Sequence, residues 1–213
     1  MKKVRLILSL SFAATMLLTS CGGFIKEVKI GNQVWMAENL NVDKFRNGDP
    51  IPEAKTAEEW GNARANKQAW CYYDNDPANG TKYGKLYNWY AVNDPRGIAP
   101  EGWHLPSDAE WTTLTDFLGG RSVAGGKMKT TGTTQWEEPN TGATNSSGFS
   151  GLPGGCRYGD GSFGYIGYNG FWWSSSEGSP NNAWERTLNY NYSYVNRDYG
   201  YKESGFSVRC LRD

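Results

Sequence analysis

The sequence has few of the residues on which most enzymes and metal sites depend. It contains one His and four Cys in 213 residues, and no two Cys are spaced as in a Cys-x-x-Cys motif. A site with two imidazoles is therefore excluded, and the spacing of the Cys residues gives no signal for zinc or dithiol redox chemistry. The motifs of serine hydrolases, zinc proteases, phosphate-binding loops and cofactor sites are also absent. A glycosidase with two catalytic carboxylates remains an open alternative, because the chain has many acidic residues.

An excess of charge is lacking as well. The chain has 22 Lys or Arg and 22 Asp or Glu, which gives a formal net charge of zero. Nucleic-acid-binding domains normally carry a basic surface, so we expect no nucleic-acid partner. Aromatic residues and glycine are abundant instead, with 10 Trp, 13 Tyr, 8 Phe and 27 Gly. This composition excludes a disordered chain and a mainly helical bundle.

The N-terminus has the features of an export signal. Lys2, Lys3 and Arg5 precede an apolar run over residues 6–18, which is shorter than the roughly 20 residues of a membrane span. The run ends in Leu-Thr-Ser before Cys21, which resembles the lipobox of bacterial lipoproteins. We therefore predict a signal peptide at residues 1–20 and a lipid anchor on Cys21, with a minimal linker at residues 21–23. An ordinary signal peptide with a coincidental Cys is the alternative.

Export has consequences for location and for the remaining thiols. A lipid on Cys21 makes the membrane a partner and places the protein in the cell envelope, with the outer membrane and its exposed side as the expected location. Export also permits disulfides, and the sequence leaves three Cys after the anchor: Cys71, Cys156 and Cys210. Any two of them can pair. We favour Cys156–Cys210, because both fall in predicted core strands.

Local patterns predict an α+β domain over residues 24–213. Apolar residues alternate on both sides of Gly31-Asn32, which indicates a β-hairpin. Capping-box patterns predict one short helix after Thr56 and another over residues 107–118, where Ser107 and Glu110 form the box. Residues 74–81 are dense in turn formers.

The C-terminal half shows no helical period from Gly125 onward, and we expect long Gly-rich loops there. Aromatic and β-branched runs predict strands at residues 171–173, 184–188 and 206–211. The expected fold is therefore two short helices with a small, mainly antiparallel sheet.

Several longer segments resemble a known family. The segments are YGKLYNWYAV at residues 83–92, PEGWHLPSDAEW at 100–111, GFSGLPGG at 148–155, WWSSS at 172–176 and GFSVRC at 205–210. Their order and spacing resemble the Fibrobacter succinogenes major paralogous domain. The resemblance implies a C-type-lectin-like fold, which the formylglycine-generating enzymes also use. The chain departs from the family at Ala99, where many members have Cys, and at Cys156, where an aromatic is common.

Two motifs offer chemistry that we set aside. His104 precedes the helix at residues 107–118 between two apolar residues, and we expect it to be packed and hydrogen-bonded to backbone. Glu138-Pro139-Asn140 matches a tripeptide through which some C-type lectins hold calcium. Calcium needs six to eight converging oxygens, and the companion Trp-Asn-Asp is missing here. We therefore predict no metal site.

A tyrosine-rich segment at residues 189–204 is the best candidate for function. Tyr, Ser, Gly and Asn are the residues that binding loops favour, because Tyr provides large rigid contact area. A strand period of two would place Tyr190, Tyr192 and Tyr194 on one exposed face, whereas a buried aromatic stripe is the structural alternative. The predicted ligand-binding residues are Tyr190, Asn191, Tyr192, Ser193, Tyr194, Asn196, Asp198, Tyr199 and Tyr201.

The residue usage of this segment also resembles the targets of diversity-generating retroelements, in which Asn codons are rewritten. We therefore predict a non-enzymatic surface lipoprotein that binds an extracellular protein or glycan through a variable C-terminal surface. Two alternatives are a structural envelope protein without a dedicated ligand and an enzyme of the formylglycine-generating type.

Overall fold

The computed structural model describes residues 25–62 and 67–213. The predicted signal peptide and the acylated Cys21 lie outside these residues. Within the described part of the chain, no helix has the length and apolar character needed to cross a bilayer. The strands are β1 Glu27–Ile30, β2 Gln33–Met36, β3 Trp70–Cys71, β4 Leu86–Tyr87, β5 Trp103–His104, β6 Gly154–Arg157, β7 Phe163–Ile166, β8 Asn169–Ser179, β9 Asn182–Asn189, β10 Val195–Tyr201 and β11 Leu211–Arg212.

The helices are short. They are α1 Ala57–Asn62, α2 Pro77–Tyr83, α3 Trp89–Val92, α4 Asp108–Phe117 and α5 Arg121–Met128, with a 3₁₀ turn at Tyr73–Asn75. Together with three sheets, they confirm the predicted α+β class. The prediction of only two helices is wrong.

A four-stranded sheet in the order β1-β2-β11-β5 joins the two ends of the described chain. The predicted hairpin is confirmed, because Ile30 pairs with Gln33 and leaves Gly31-Asn32 as a two-residue turn. Gly31 has a φ of 61°, a conformation that glycine adopts without strain. The short strand β11 then pairs with β2 on one side and with β5 on the other.

A five-stranded sheet in the order β10-β9-β8-β6-β7 carries the C-terminal half. The predicted strands at residues 171–173 and 184–188 are confirmed inside β8 and β9, which pair antiparallel. The third predicted strand, at residues 206–211, is wrong over most of its length. Single bridges at Gly205, Phe206 and Ser207 precede β11, so this segment runs between the two sheets instead of extending one of them.

Helix α4 confirms the capping-box prediction. The Ser107 hydroxyl accepts from the Glu110 amide, and the Glu110 carboxylate accepts from the Ser107 amide at 2.7 Å. Helix α1 has the same reciprocal bonds between Thr56 and Glu59. Trp111 and Leu114 of α4 are buried, as the predicted stripe requires.

Three helices were missed because their signals were weak or ambiguous. The predicted turn cluster at residues 74–81 includes the cap and the first five residues of α2, since Asp76 caps the helix and Pro77 occupies its first turn. Asn88 caps the single turn of α3. Helix α5 contains Gly125-Gly126, which local propensity disfavours and close packing explains.

The preferred Cys156–Cys210 disulfide is wrong, because all three thiols in the described chain are free and buried. Cys156 lies on β6 in the five-stranded sheet, whereas Cys210 immediately precedes β11 in the four-stranded sheet. Both are core residues. Burial raises the pKa of each of the three thiols to about 12, so they stay protonated at neutral pH.

Candidate functional site

The connection between β9 and β10 forms the first part of the candidate site. Residues 190–194, here called the tyrosine loop, are not in a strand, because β9 ends at Asn189 and β10 begins at Val195. The prediction that Tyr190, Tyr192 and Tyr194 alternate along one strand face is therefore wrong. A loop has no period of two, and each ring has to be placed from its own contacts.

A buried lysine holds the backbone of the tyrosine loop. The Lys129 ammonium donates to the carbonyl oxygens of Thr141, Asn189 and Tyr192 at 2.9–3.0 Å. Its side chain is fully shielded from solvent, and burial lowers its pKa to about 8. The lysine is therefore still mostly charged at neutral pH. Charge-assisted bonds in a shielded site are strong, so these three bonds fix where the loop starts and turns.

Helix α5 holds the other side of the tyrosine loop through two glycines. The Gly126 amide donates to the Ser193 carbonyl at 2.9 Å. A side chain at Gly125 would collide with the Tyr194 carbonyl, and one at Gly126 would collide with the Gly142 carbonyl. The Gly125-Gly126 pair is thus the consequence of a close approach between helix and loop backbones.

The side chains of the tyrosine loop divide into an inner and an outer set. Tyr190 is half-buried and packs edge-on against Tyr168, with ring centroids 5.2 Å apart. Tyr192 and Tyr194 are 45% and 40% exposed, and their rings stack at 4.8 Å with an interplanar angle of 23°. Asn191 is exposed and Ser193 is half-buried. The loop therefore presents one stacked pair of phenols to solvent.

Strand β10 carries a second aromatic cluster. Tyr199 lies opposite Trp184 of β9, and their ring centroids are 3.9 Å apart. The Arg197 guanidinium sits 3.4 Å from the centroid of the Trp184 ring. Tyr199 is 49% exposed and Tyr201 is 65% exposed. Trp184, Arg197, Tyr199 and Tyr201 are here called the strand cluster.

The remaining predicted residues of β10 lie on its other face. Side chains alternate along a strand, so Asn196 and Asp198 point away from the strand cluster. Asp198 is exposed, and it pairs in register with Glu185 of β9. The nine predicted residues thus do not form one surface. The stacked pair and the strand cluster lie at opposite ends of β10, roughly 15–20 Å apart along the strand.

Arginines line a cleft of about 320 Å³ beside β10. Arg186 and Arg197 both bind Asp108 at the start of α4, at 2.9 and 2.8 Å. Arg121 of α5 donates instead to the Val195 carbonyl and to the Asn196 side chain. These contacts attach β10 to α4 and α5, and they hold Arg197 in place over Trp184.

Sequence reasoning missed Lys129, Trp184 and Arg197. Trp184 of β9 lies opposite Tyr199 of β10, so a correct prediction of the pairing register between these two strands would have added Trp184 to the site. No local pattern marks Lys129, because its three acceptors come from residues 12 to 63 positions away.

His104 has different partners from those predicted. Its ring nitrogens lie 2.8 Å from an Asp213 oxygen and 2.9 Å from a Glu110 oxygen, so it bridges two carboxylates instead of bonding to backbone. Burial opposes charging of the ring. The bonds to Asp213 and Glu110 together outweigh burial, and the pKa of His104 is raised above 6.5.

In the tripeptide Glu138-Pro139-Asn140, the last residue has a structural role. Asn140 is buried, and its amide nitrogen donates to the carbonyls of Thr130 and Gly132. Glu138 is exposed. In the described part of the chain, no group of three His, Cys, Asp or Glu side chains converges.

Comparison with known proteins gives one match. The model of the Fibrobacter succinogenes major domain matches residues 28–212. No curated protein and no solved structure matches the chain. The match covers all three sheets except the first residue of β1, together with the tyrosine loop and the strand cluster. The chain belongs to the Fibrobacter succinogenes major domain family.

Proposed function

We propose that this protein is a lipid-anchored envelope protein that binds an extracellular protein or glycan. The contact surface consists of the stacked pair Tyr192–Tyr194 and the strand cluster. The observation that carries the proposal is a set of large aromatic rings, 40–65% exposed, on a backbone that buried groups hold fixed. Rings presented on a rigid frame lose little conformational entropy on binding.

The spacing of the two aromatic groups supports a protein partner in particular. A standard protein interface buries about 800 Å² on each side, which is wide enough to include both ends of β10. A glycan of a few sugars would instead stack on one group, for example on the exposed rings of Tyr199 and Tyr201. Tyr, Trp and Arg are also the residues most often found at the centre of protein interfaces.

The buried thiols favour binding over chemistry of the formylglycine-generating type. Such chemistry needs a reactive thiolate, whereas burial raises the pKa of Cys156 and Cys210 to about 12. We therefore propose a non-enzymatic role. The lipid anchor on Cys21, the outer-membrane location and the C-type-lectin-like description of the fold rest on the sequence resemblance and belong to this proposal.

We further propose that the tyrosine loop and β10 are diversified by a retroelement. The support is that the loop is held mainly through main-chain atoms, so its side chains can change without loss of the fold. The proposal fails if the neighbouring DNA holds neither a reverse transcriptase gene nor a near-copy of this coding stretch that differs at adenines.

The binding proposal is tested with the triple variant Tyr192→Ser, Tyr194→Ser and Tyr199→Ser. Glycan arrays and arrays of extracellular proteins are probed with the mature wild-type protein, and positive hits are then measured with the variant. We expect binding to fall at least about tenfold, because aromatic anchors each contribute 1 kcal/mol or more, and the melting temperature to stay nearly unchanged.

Two controls separate recognition from packing. The double variant Tyr158→Ser and Tyr165→Ser removes comparably exposed rings from the β6–β7 region and should leave binding intact. Tyr190→Ser removes a half-buried ring and should lower the melting temperature. If the triple variant melts as early as Tyr190→Ser, the rings serve the fold and the envelope protein has no dedicated ligand on this surface.

A further inference from the structure

A cleft that includes no residue of β10 has a buried cation in its lining. Its volume is about 390 Å³, which is within the range of small-molecule sites. Its walls come from residues 37–41, from the C-terminal end of α2 and from residues 150–152. Arg209, which lies just before β11, also lines it.

The Arg209 guanidinium is buried without a counter-ion. Its Nε and Nη2 atoms donate to the Asn39 side-chain oxygen at 3.1 and 2.7 Å, and its Nη1 donates to the Phe149 carbonyl. Within the described part of the chain, no carboxylate forms an ion pair with it. Burial lowers its pKa to about 9 although the charge of Glu38, which is too distant for an ion pair, acts in the opposite direction, so the group is still cationic at neutral pH.

The available donors and the neighbouring charges favour an anion. A guanidinium has five N–H groups, and the contacts to Asn39 and Phe149 use three of them. Lys82 of α2 lines the rim and is exposed. Glu38 also lines the cleft, but its carboxylate is paired with Lys26 at 2.7 Å. The cleft therefore has a net positive charge.

We propose that this cleft binds a small soluble anion that carries a carboxylate or a phosphate, such as a sugar acid or a sugar phosphate. A buried charge without a partner is unfavourable, and a bound oxyanion would offset that cost with charge-assisted hydrogen bonds. Arginine is suited to this role because its planar fork matches both carboxylate and phosphate. The site shares no residue with the tyrosine loop or the strand cluster, so it stands independently of the function proposed above.

Trp172 provides a local reporter for binding. Its indole Nε1 donates to the same Asn39 oxygen that Arg209 contacts, at 2.8 Å. An anion that draws on Arg209 will alter this shared hydrogen bond and shift the indole resonance of Trp172. The indole of Trp60 donates to the Glu203 carbonyl and provides an internal reference.

The experiment titrates ¹⁵N-labelled mature protein with inorganic phosphate and, separately, with glucuronate, and Trp172→Phe assigns the reporter peak. We expect a saturable shift of Trp172 with a dissociation constant of about 10 mM or lower for at least one anion. Sodium chloride at the same ionic strength and neutral glucose should give no such shift. The comparison of the two anions identifies the preferred head group.

Charge reversal at the rim tests the site without disturbing the buried arginine. Lys82→Glu should weaken the binding of the anion about fivefold or more. The control is Lys29→Glu, which changes an exposed lysine on β1 outside the cleft and should have little effect on binding. A Trp172 resonance that does not move with either anion up to about 50 mM overturns the proposal. Equal shifts in wild type and Lys82→Glu overturn it as well.

Discussion

Replacing Glu185 with Gln should remove a pH-dependent loss of stability that arises on β9 of the five-stranded sheet. The Glu185 carboxyl is fully buried on β9, and the Thr187 hydroxyl contacts both of its oxygens at 2.8–2.9 Å. No cation of the described residues forms an ion pair with it. Burial raises its pKa from 4.5 to about 8, against the opposing effect of the Thr187 hydrogen bond and with smaller, opposite contributions from the charges of Asp198 and Arg186.

The magnitude follows from the difference between the folded and unfolded pKa values. Because the folded pKa is the higher one, the folded state binds more protons between pH 4.5 and pH 8, and stability falls as the pH rises through this window. A difference of about 3.5 pKa units at about 1.4 kcal/mol per unit gives at most about 5 kcal/mol. Gln has nearly the same shape and no charge, so the variant should not show this loss.

The assay is urea unfolding of wild type and Glu185→Gln, followed by tryptophan fluorescence between pH 5 and pH 9. Subtracting the unfolding free energy of wild type from that of the variant at each pH removes the contribution of the other titrating groups, which the two proteins share. We expect the variant to gain on wild type steadily from pH 5 to pH 8 and to be the more stable protein above that. The exposed Glu101→Gln is the matched control and should give a constant difference. Parallel curves for Glu185→Gln would refute the assignment of a neutral carboxyl at this position.

Three further predictions concern the groups that position the site and the C-terminus. Lys129→Met should lower the free energy of unfolding by about 1–3 kcal/mol, because it leaves three carbonyl groups unpaired. The backbone amides of residues 190–194 should then exchange hydrogen faster. Unchanged exchange rates would contradict the role of Lys129 in holding the loop. Gly126→Ala should lower the free energy of unfolding by about 1–3 kcal/mol despite the better helix propensity of Ala, because the added methyl group meets the Gly142 carbonyl. Thermal unfolding measures the effect, and Gly61→Ala is the control because its added carbon meets no other atom. His104→Gln should lose most stability below pH 6.5, because a raised His pKa stabilises the protonated folded state there, and a loss that grows toward alkaline pH would exclude it.

The parts of the fold that local chemistry determines could be predicted from the sequence. The Gly31-Asn32 hairpin needs only two residues of turn and alternating neighbours, and the Ser107–Glu110 box needs only a spacing of three. Both signals lie within one element. The same approach did not predict helix α2, because an Asp-Pro pair such as Asp76-Pro77 is equally suited to a turn and to the start of a helix.

The candidate site could be located but not built from the sequence. The tyrosine-rich composition predicted exposed rings in this segment, and Tyr192, Tyr194, Tyr199 and Tyr201 are indeed exposed. Its geometry depended on where β9 ends, and that depends on Lys129 and on α5, which are distant in sequence. Likewise, the three thiols were misjudged because pairing requires a spatial distance, which neighbouring residues do not specify.

The tyrosine loop is held in a way that is compatible with variation of its side chains on a constant frame. Lys129 binds the carbonyls of Asn189 and Tyr192, Gly126 binds the carbonyl of Ser193, and Thr141 binds that of Tyr190. Every residue type offers the same carbonyl, so these contacts do not depend on the loop's side chains. Tyr190 is the exception, because its ring packs on Tyr168. On the proposed function, substitution at positions 191, 192 and 194 would change what the surface contacts, whereas substitution at position 190 would change how firmly the loop is attached.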